Sequence, residues 1–269
     1  MRELARRGRS EEKSHYEELL ESQRVEIRMN REAFDWLMLD DQWQLDQQLN
    51  LYDIFSNPDA QLDPFAERGA LVTPDLAFRF DSRFVKAAWV PIDDKDEAEQ
   101  ATYYSRVVDG RRMGLIALHL SAKILPQWFW ATWEHESNPA RAAVDTREPL
   151  QGTATLAKIF AAAGLDDVWK HYRLNGVQTS FVDGQGNPVV LASSIFEAGH
   201  LDSSCMSCHA RIAIQRTATD GVGRLSLFSP NPLGSPDPTW FSGGAGNRPY
   251  LQLDFVGVLM RAKPKPSCK

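Results

Sequence analysis

Apolar and polar positions along the chain change period twice. Over residues 10–56, Tyr16, Leu19 and Leu20, then Phe34, Leu37 and Met38, recur at helical spacing among Glu, Arg and Gln. Ser14 followed by Glu17 fits a capping box, and Asn30 fits the start of a second helix. The stretch "SNPDAQLDPFAERGALVTPD" reads as a loop. From Phe78 the period becomes two. "FRFDSRFVKAAWVPI" reads as a half-buried strand pair, and "YYSRVVDGRRMGLIALHL" as two strands about an Asp109-Gly110 turn. "QWFWATWEH" has the aromatic, β-favouring character of a further strand.

The later pattern is mixed. Residues 153–172 predict one helix broken near Gly164, and Asp183-Gly184 marks another hairpin. A Pro/Gly-rich loop spans Ser229 to Pro249, and "YLQLDFVGVLM" predicts a last strand. The expected fold class is α+β. A helical N-terminal arm (residues 1–60) precedes an antiparallel β-rich body with a C-terminal attachment segment (61–269), in one globular unit.

Composition narrows the class. At 43% hydrophobic and 25% charged, the 269 residues are those of an ordinary globular protein. A net charge of -6 gives no reason to expect nucleic acid as a partner. Apolar runs such as "GLIALHL" stop far short of a spanning helix. The N-terminus has no apolar leader.

The chemistry concentrates in "HLDSSCMSCHARIAI", which holds two of the three cysteines. Cys205-Met206-Ser207-Cys208-His209 is C-x-x-C-H, the signature of covalent haem attachment. Two thiols at this spacing reach two vinyl groups on one porphyrin edge, and the next residue presents its imidazole to the iron. A zinc site would need further ligands, and no second Cys/His pair stands at a suitable spacing. A thioredoxin-like dithiol needs a βαβ setting that the pattern lacks. A disulfide between the two would close a very small ring. Cys268 is left over.

At these residues the chain resembles the c-type cytochromes. That resemblance implies haem c on Cys205 and Cys208, His209 as proximal ligand, electron transfer with a redox partner protein, and attachment outside the cytoplasm, in the periplasm, after removal of a leader absent from this chain. The chain departs from the small helical carriers, in which the motif lies near the N-terminus. A β-rich body ahead of the motif is similar in order to the haem enzymes that cross-link a lysine to the ring and oxidise hydroxylamine, and to their gas-binding relatives. "FVKAAW" around Lys86, followed by "GLIALHL", carries that second similarity. It implies an exchangeable distal site, with oxidation of a small nitrogenous substrate or peroxide chemistry as the alternative function.

The distal face decides between the two. His119, His135, His171, His200, Met113 and Met260 are the candidates. His135 is the first choice as a second iron ligand or pocket group, because alternation puts it on one face with Phe129, Ala131 and Trp133. His119 stands second. Trp133, with Trp128 and Trp130, is expected against the porphyrin. Arg211 and Arg216, just past the motif, are placed to meet the propionates.

Overall fold

The computed structural model describes residues 17–56 apart from 19, 40 and 42, together with 77–138, 153–217, 221–230, 232–241 and 249–264. Ser14, Cys268 and most of the loop expected at 56–75 lie outside the described residues. The fold is α+β. Strands β1 (Arg24–Met29), β2 (Arg83–Pro91), β3 (Ser105–Val108), β4 (Arg111–Ala122), β5 (Phe129–His135) and β6 (Tyr172–Gln178) form an antiparallel sheet. Its order is β1-β2-β4-β5-β6, with β3 pairing β4. A second, three-stranded sheet joins β7 (Ala213–Arg216), β8 (Val222–Arg224) and β9 (Leu251–Gln252) in the order β8-β7-β9.

Strands form at 83–91, 111–122 and 129–135, but the strand pair expected over 78–92 is one strand, because the chain turns at Phe80 and Asp81 before β2. Asp109 and Gly110 both adopt positive φ (52° and 78°), which a tight turn between right-twisted strands demands. The N-terminal arm differs from its helical expectation. "RVEIRM" is strand β1, paired with β2 from Arg24↔Trp89 to Met29↔Phe84. Val25, Ile27 and Met29 alternate with charged residues, a period of two inside a longer helical pattern. Asn30 then starts helix α1 (Arg31–Leu39), its side chain accepting from the Ala33 amide at 3.2 Å. Helix α2 (Leu45–Ser56) follows, and a single turn of helix, α3 (Glu97–Gln100), precedes β3.

The arm is packed into the body. Trp36, Leu37, Leu49 and Leu51 share one apolar core with Phe84, Trp128, Trp130, Met206, Ile212, Leu253 and Phe255. That core joins both sheets and the arm to the segment after Leu191. The buried Asp254 carboxylate ties three distant stretches, accepting from Lys123 Nζ at 2.5 Å and from the Phe78 amide at 2.7 Å.

The middle and end of the chain are less regular than their patterns. The helix expected over 153–172 is α4 (Thr153–Ala162) followed by a 3-10 turn, Asp167–His171. The hairpin expected at Asp183-Gly184 reduces to a single bridge, Val182–Pro188. "YLQLDFVGVLM" supplies only the two residues of β9 and then a 3-10 turn. Among the described residues no helix is long and apolar enough to cross a membrane.

Candidate functional site

The motif forms its own short helix, α5 (Cys205–His209). Ser204 caps it, accepting from the Ser207 amide at 3.3 Å. Gln178, at the end of β6, holds the cap from the sheet side. Its Nε2 donates to Ser204 Oγ at 2.8 Å, and its Oε1 accepts from the Met206 amide at 3.0 Å. On the other flank the Cys205 amide donates to Leu191 O at 3.0 Å. Leu191 lies directly on the sheet because Gly176 is beneath it. A Cβ there would come within 2.8 Å of Leu191 Cδ1.

His209 is oriented by one hydrogen bond. Its Nδ1 lies 2.7 Å from the Phe255 carbonyl oxygen, which can only accept. Nδ1 therefore carries the proton, and Nε2 keeps its lone pair. Burial lowers the ring's pKa to about 4, so at neutral pH it is uncharged. A neutral imidazole whose other nitrogen donates to a carbonyl has the fixed tautomer that metal-ligating histidines use. Cys205 and Cys208 are free thiols. Burial, then the nearby Glu197 charge, push the Cys208 thiol up to about 12, and the same two causes raise Cys205, opposed by the Thr132 hydroxyl.

The sheet face beneath the helix has a legible composition. Lys86 on β2 pairs with His119 on β4, His119 with Thr132 on β5, and Thr132 with Gly176 on β6. Residues directly opposed in antiparallel strands share a face. One step along, Phe84, Ser121, Trp130 and Gln178 form a parallel row. Trp130 packs on the His209 ring with centroids 4.5 Å apart. The motif helix thus lies on the face that carries Lys86, His119 and Thr132.

A turn at 193–197 closes this face. The Glu134 carboxylate on β5 accepts from Ser193 Oγ (2.6 Å), Ser194 N (2.8 Å), Ser194 Oγ (3.0 Å) and Asn138 Nδ2 (2.9 Å). That brings Phe196 over Lys86 Nζ at 4.3 Å and edge-on to His119 at 4.3 Å. Glu197 Oε2 sits 3.7 Å from His119 Nε2. Burial pushes the Glu197 carboxyl up to about 7, against the pull of the Lys86 charge. Burial also holds His119 well below the usual imidazole range, reinforced by Lys86 and His209.

The other expected site residues are placed elsewhere. His135 does share a face with Phe129, Ala131 and Trp133, but it is the face opposite Trp130, Thr132 and Glu134. Its ring stacks on Tyr103 at 3.9 Å and meets Tyr172 edge-on at 5.1 Å. Both nitrogens are engaged, Nδ1 with Ser137 Oγ at 2.8 Å and Nε2 with Thr102 O at 3.1 Å. His135 is a structural core histidine here, and the expectation of a distal ligand is corrected. Trp133 lies on that same far face, paired with Leu118 and Leu174. Trp130 lies against the His209 ring.

Arg211 is turned inward, donating to the carbonyls of Ser226 (3.2 Å) and Pro230 (2.6 Å) under Trp240. Arg216 makes a two-point ion pair with Asp53. His171 pairs with Glu136 at 2.5 Å, and His200 stacks on Phe228 at 4.3 Å. Met113 is buried with Trp89, Leu115 and Tyr172, and Met260 packs on the main core. Sequence reasoning did not find Glu197, Thr132 or Phe196. Glu197 follows an apolar pair in a loop and carries no periodic signal.

Among the described residues no three His, Cys, Asp or Glu side chains converge as an ion cage would require. The donor set fits haem instead. Two free thiols stand one helical turn apart, beside an imidazole whose tautomer is fixed by Phe255. No family model matches the chain, and no curated protein or solved structure matches it significantly.

Proposed function

We propose that the chain is a monohaem c-type cytochrome that transfers electrons to or from a redox partner protein. Cys205 and Cys208 would hold the haem through thioethers, and His209 would ligate its iron. The observation that carries the reading is the Nδ1–H of His209 donated to the Phe255 carbonyl at 2.7 Å, which leaves Nε2 with the lone pair that a metal ligand needs. Haem, when bound, supplies a one-electron redox centre. The chain's part is to orient the proximal imidazole from Phe255 and to keep water off with Trp130, Met206 and the arm's apolar residues. Attachment of this kind takes place outside the cytoplasm, so the periplasm is the proposed location.

A second reading has its own support. Lys86, His119 and Glu197 gather on the face that meets the motif, and such polar groups suit an exchangeable site better than a plain carrier. Lys86 there is also in keeping with the similarity to lysine-cross-linked haem enzymes, with a small nitrogenous substrate or peroxide as the reactant.

The first test is intact mass after acid-acetone extraction of protein matured in a periplasm. One haem per chain is expected, and Cys208→Ala should reduce the attachment. A mass equal to the bare polypeptide sinks the proposal. Spectra of the reduced protein with and without CO then separate the readings. An unchanged spectrum supports the carrier, and a CO complex supports the exchangeable site.

A further inference from the structure

We propose that His119 is the second axial ligand of the haem iron. The inference rests on the haem reading above and goes beyond it by naming the group on the sheet side.

Position is the first argument. A ring attached through Cys205 and Cys208 takes its proximal ligand from α5, so the opposing ligand must come from whatever α5 lies on. That surface is the face of the large sheet marked by Trp130 against His209 and by Thr132 beside Cys205. His119 is directly opposite Thr132 on the neighbouring strand, at the middle of the row running from Lys86 to Gly176.

The second argument is an unpartnered atom. His119 Nε2 is buried and has no hydrogen bond. Glu197 Oε2, at 3.7 Å, is too far to accept one. A buried polar nitrogen without a partner costs on the scale of a lost hydrogen bond, and among such atoms in the described residues His119 Nε2 is the one imidazole nitrogen, hence the one able to ligate iron. A bond to iron would satisfy it. The ring is held ready by the Phe196 edge at 4.3 Å.

Elimination is the third. His135 has both nitrogens engaged, His171 is paired with Glu136, and His200 is stacked on Phe228. Met113 is enclosed in the separate cluster around Trp89 and Tyr172. Met206 belongs to α5 itself and so to the proximal side. The remaining donors are Met260, packed on the core that holds Met206 of α5, and Lys86, whose amine rests over the Phe196 ring.

The test uses holoprotein matured in a periplasm, with intact mass measured first. A bare polypeptide overturns the haem reading and this inference with it. With haem attached, ferric electron paramagnetic resonance should show a low-spin centre, and electron-nuclear double resonance should show two imidazole nitrogens on the iron. His119→Ala should keep the haem mass, turn the centre high-spin, and open the ferrous form to CO. Added imidazole should restore the low-spin signal. A high-spin, CO-binding wild type with full haem loading overturns the inference while leaving the haem reading intact. So does a His119→Ala protein that stays low-spin while Lys86→Ala does not. Should His119→Ala fail to fold, the double-resonance spectrum of the wild type decides alone, one imidazole against two.

Discussion

His119 and His135 are two enclosed histidines on neighbouring strands of one sheet, yet their surroundings differ in kind. His135 is closed on every side: Tyr103 and Tyr172 hold the ring, and Ser137 and Thr102 satisfy its nitrogens. Nothing is left over for a ligand. His119 is held by one aromatic edge and keeps a buried nitrogen without a partner, beside an amine and a carboxyl. Burial therefore does not mark a site. Unsatisfied burial, shared by several ionisable groups against a motif, is the sharper sign.

The comparison can be broken most decisively by spectroscopy. His135→Ala should leave the haem spectrum of the holoprotein unchanged, while the matching change at His119 should alter it completely. A spectral change at His135 would reverse the assignment of the two faces. The next largest effect is on the turn that closes the His119 side. Glu134→Ala strands the donors of Ser193, Ser194 and Asn138 and should cost about 3–5 kcal/mol, the scale for opening a buried charged network. Denaturant titration measures it, and a loss under 1 kcal/mol, on the scale of one ordinary hydrogen bond, would show that the turn is held by something else.

Acid should then act on His135, as on the likewise buried His209 and His119. Burial lowers its pKa to about 4, so between the unfolded value near 6.5 and that point the unfolded chain binds more protons than the native one. The contribution of His135 to stability is complete above pH 6.5 and is lost as pH falls through about 4, by about 3 kcal/mol in all. His135→Gln should flatten the stability curve in that window, and an unchanged curve would place the acid sensitivity elsewhere. The smallest effect is expected at the rim. Arg216→Ala removes a partly exposed ion pair with Asp53 and should change stability by no more than about 1 kcal/mol, with no spectral change.

Much of the large sheet was legible because its signals are local. Alternation in "RFVKAAWVP" and "RRMGLIALHLSA", and the Asp109-Gly110 turn, are readable within a dozen residues. Alternation also grouped His135 correctly with Ala131 and Trp133. It could not say which face of β5 the motif would meet, because that choice depends on Gln178 and Leu191 anchoring α5 from other parts of the chain. Strand β1 was hidden by helical spacing on both sides of it. Glu197 and Thr132 were hidden because their neighbourhood is assembled only by the Glu134 network and the strand register. Cys205, Cys208 and His209 stood out directly because C-x-x-C-H is a chemical spacing, independent of the fold around it.

The Phe255 carbonyl that orients His209 comes 46 residues later in the chain. A polypeptide emerging N-terminus first presents both thiols and the imidazole before that carbonyl exists to hold the ring. Under the haem reading, covalent capture and iron ligation are then separable events. Capture needs only Cys205 and Cys208 to be within reach, and the imidazole is locked when the segment around Leu253 and Phe255 docks. The C-terminal segment would act as the latch of maturation, closing over a group that is already attached.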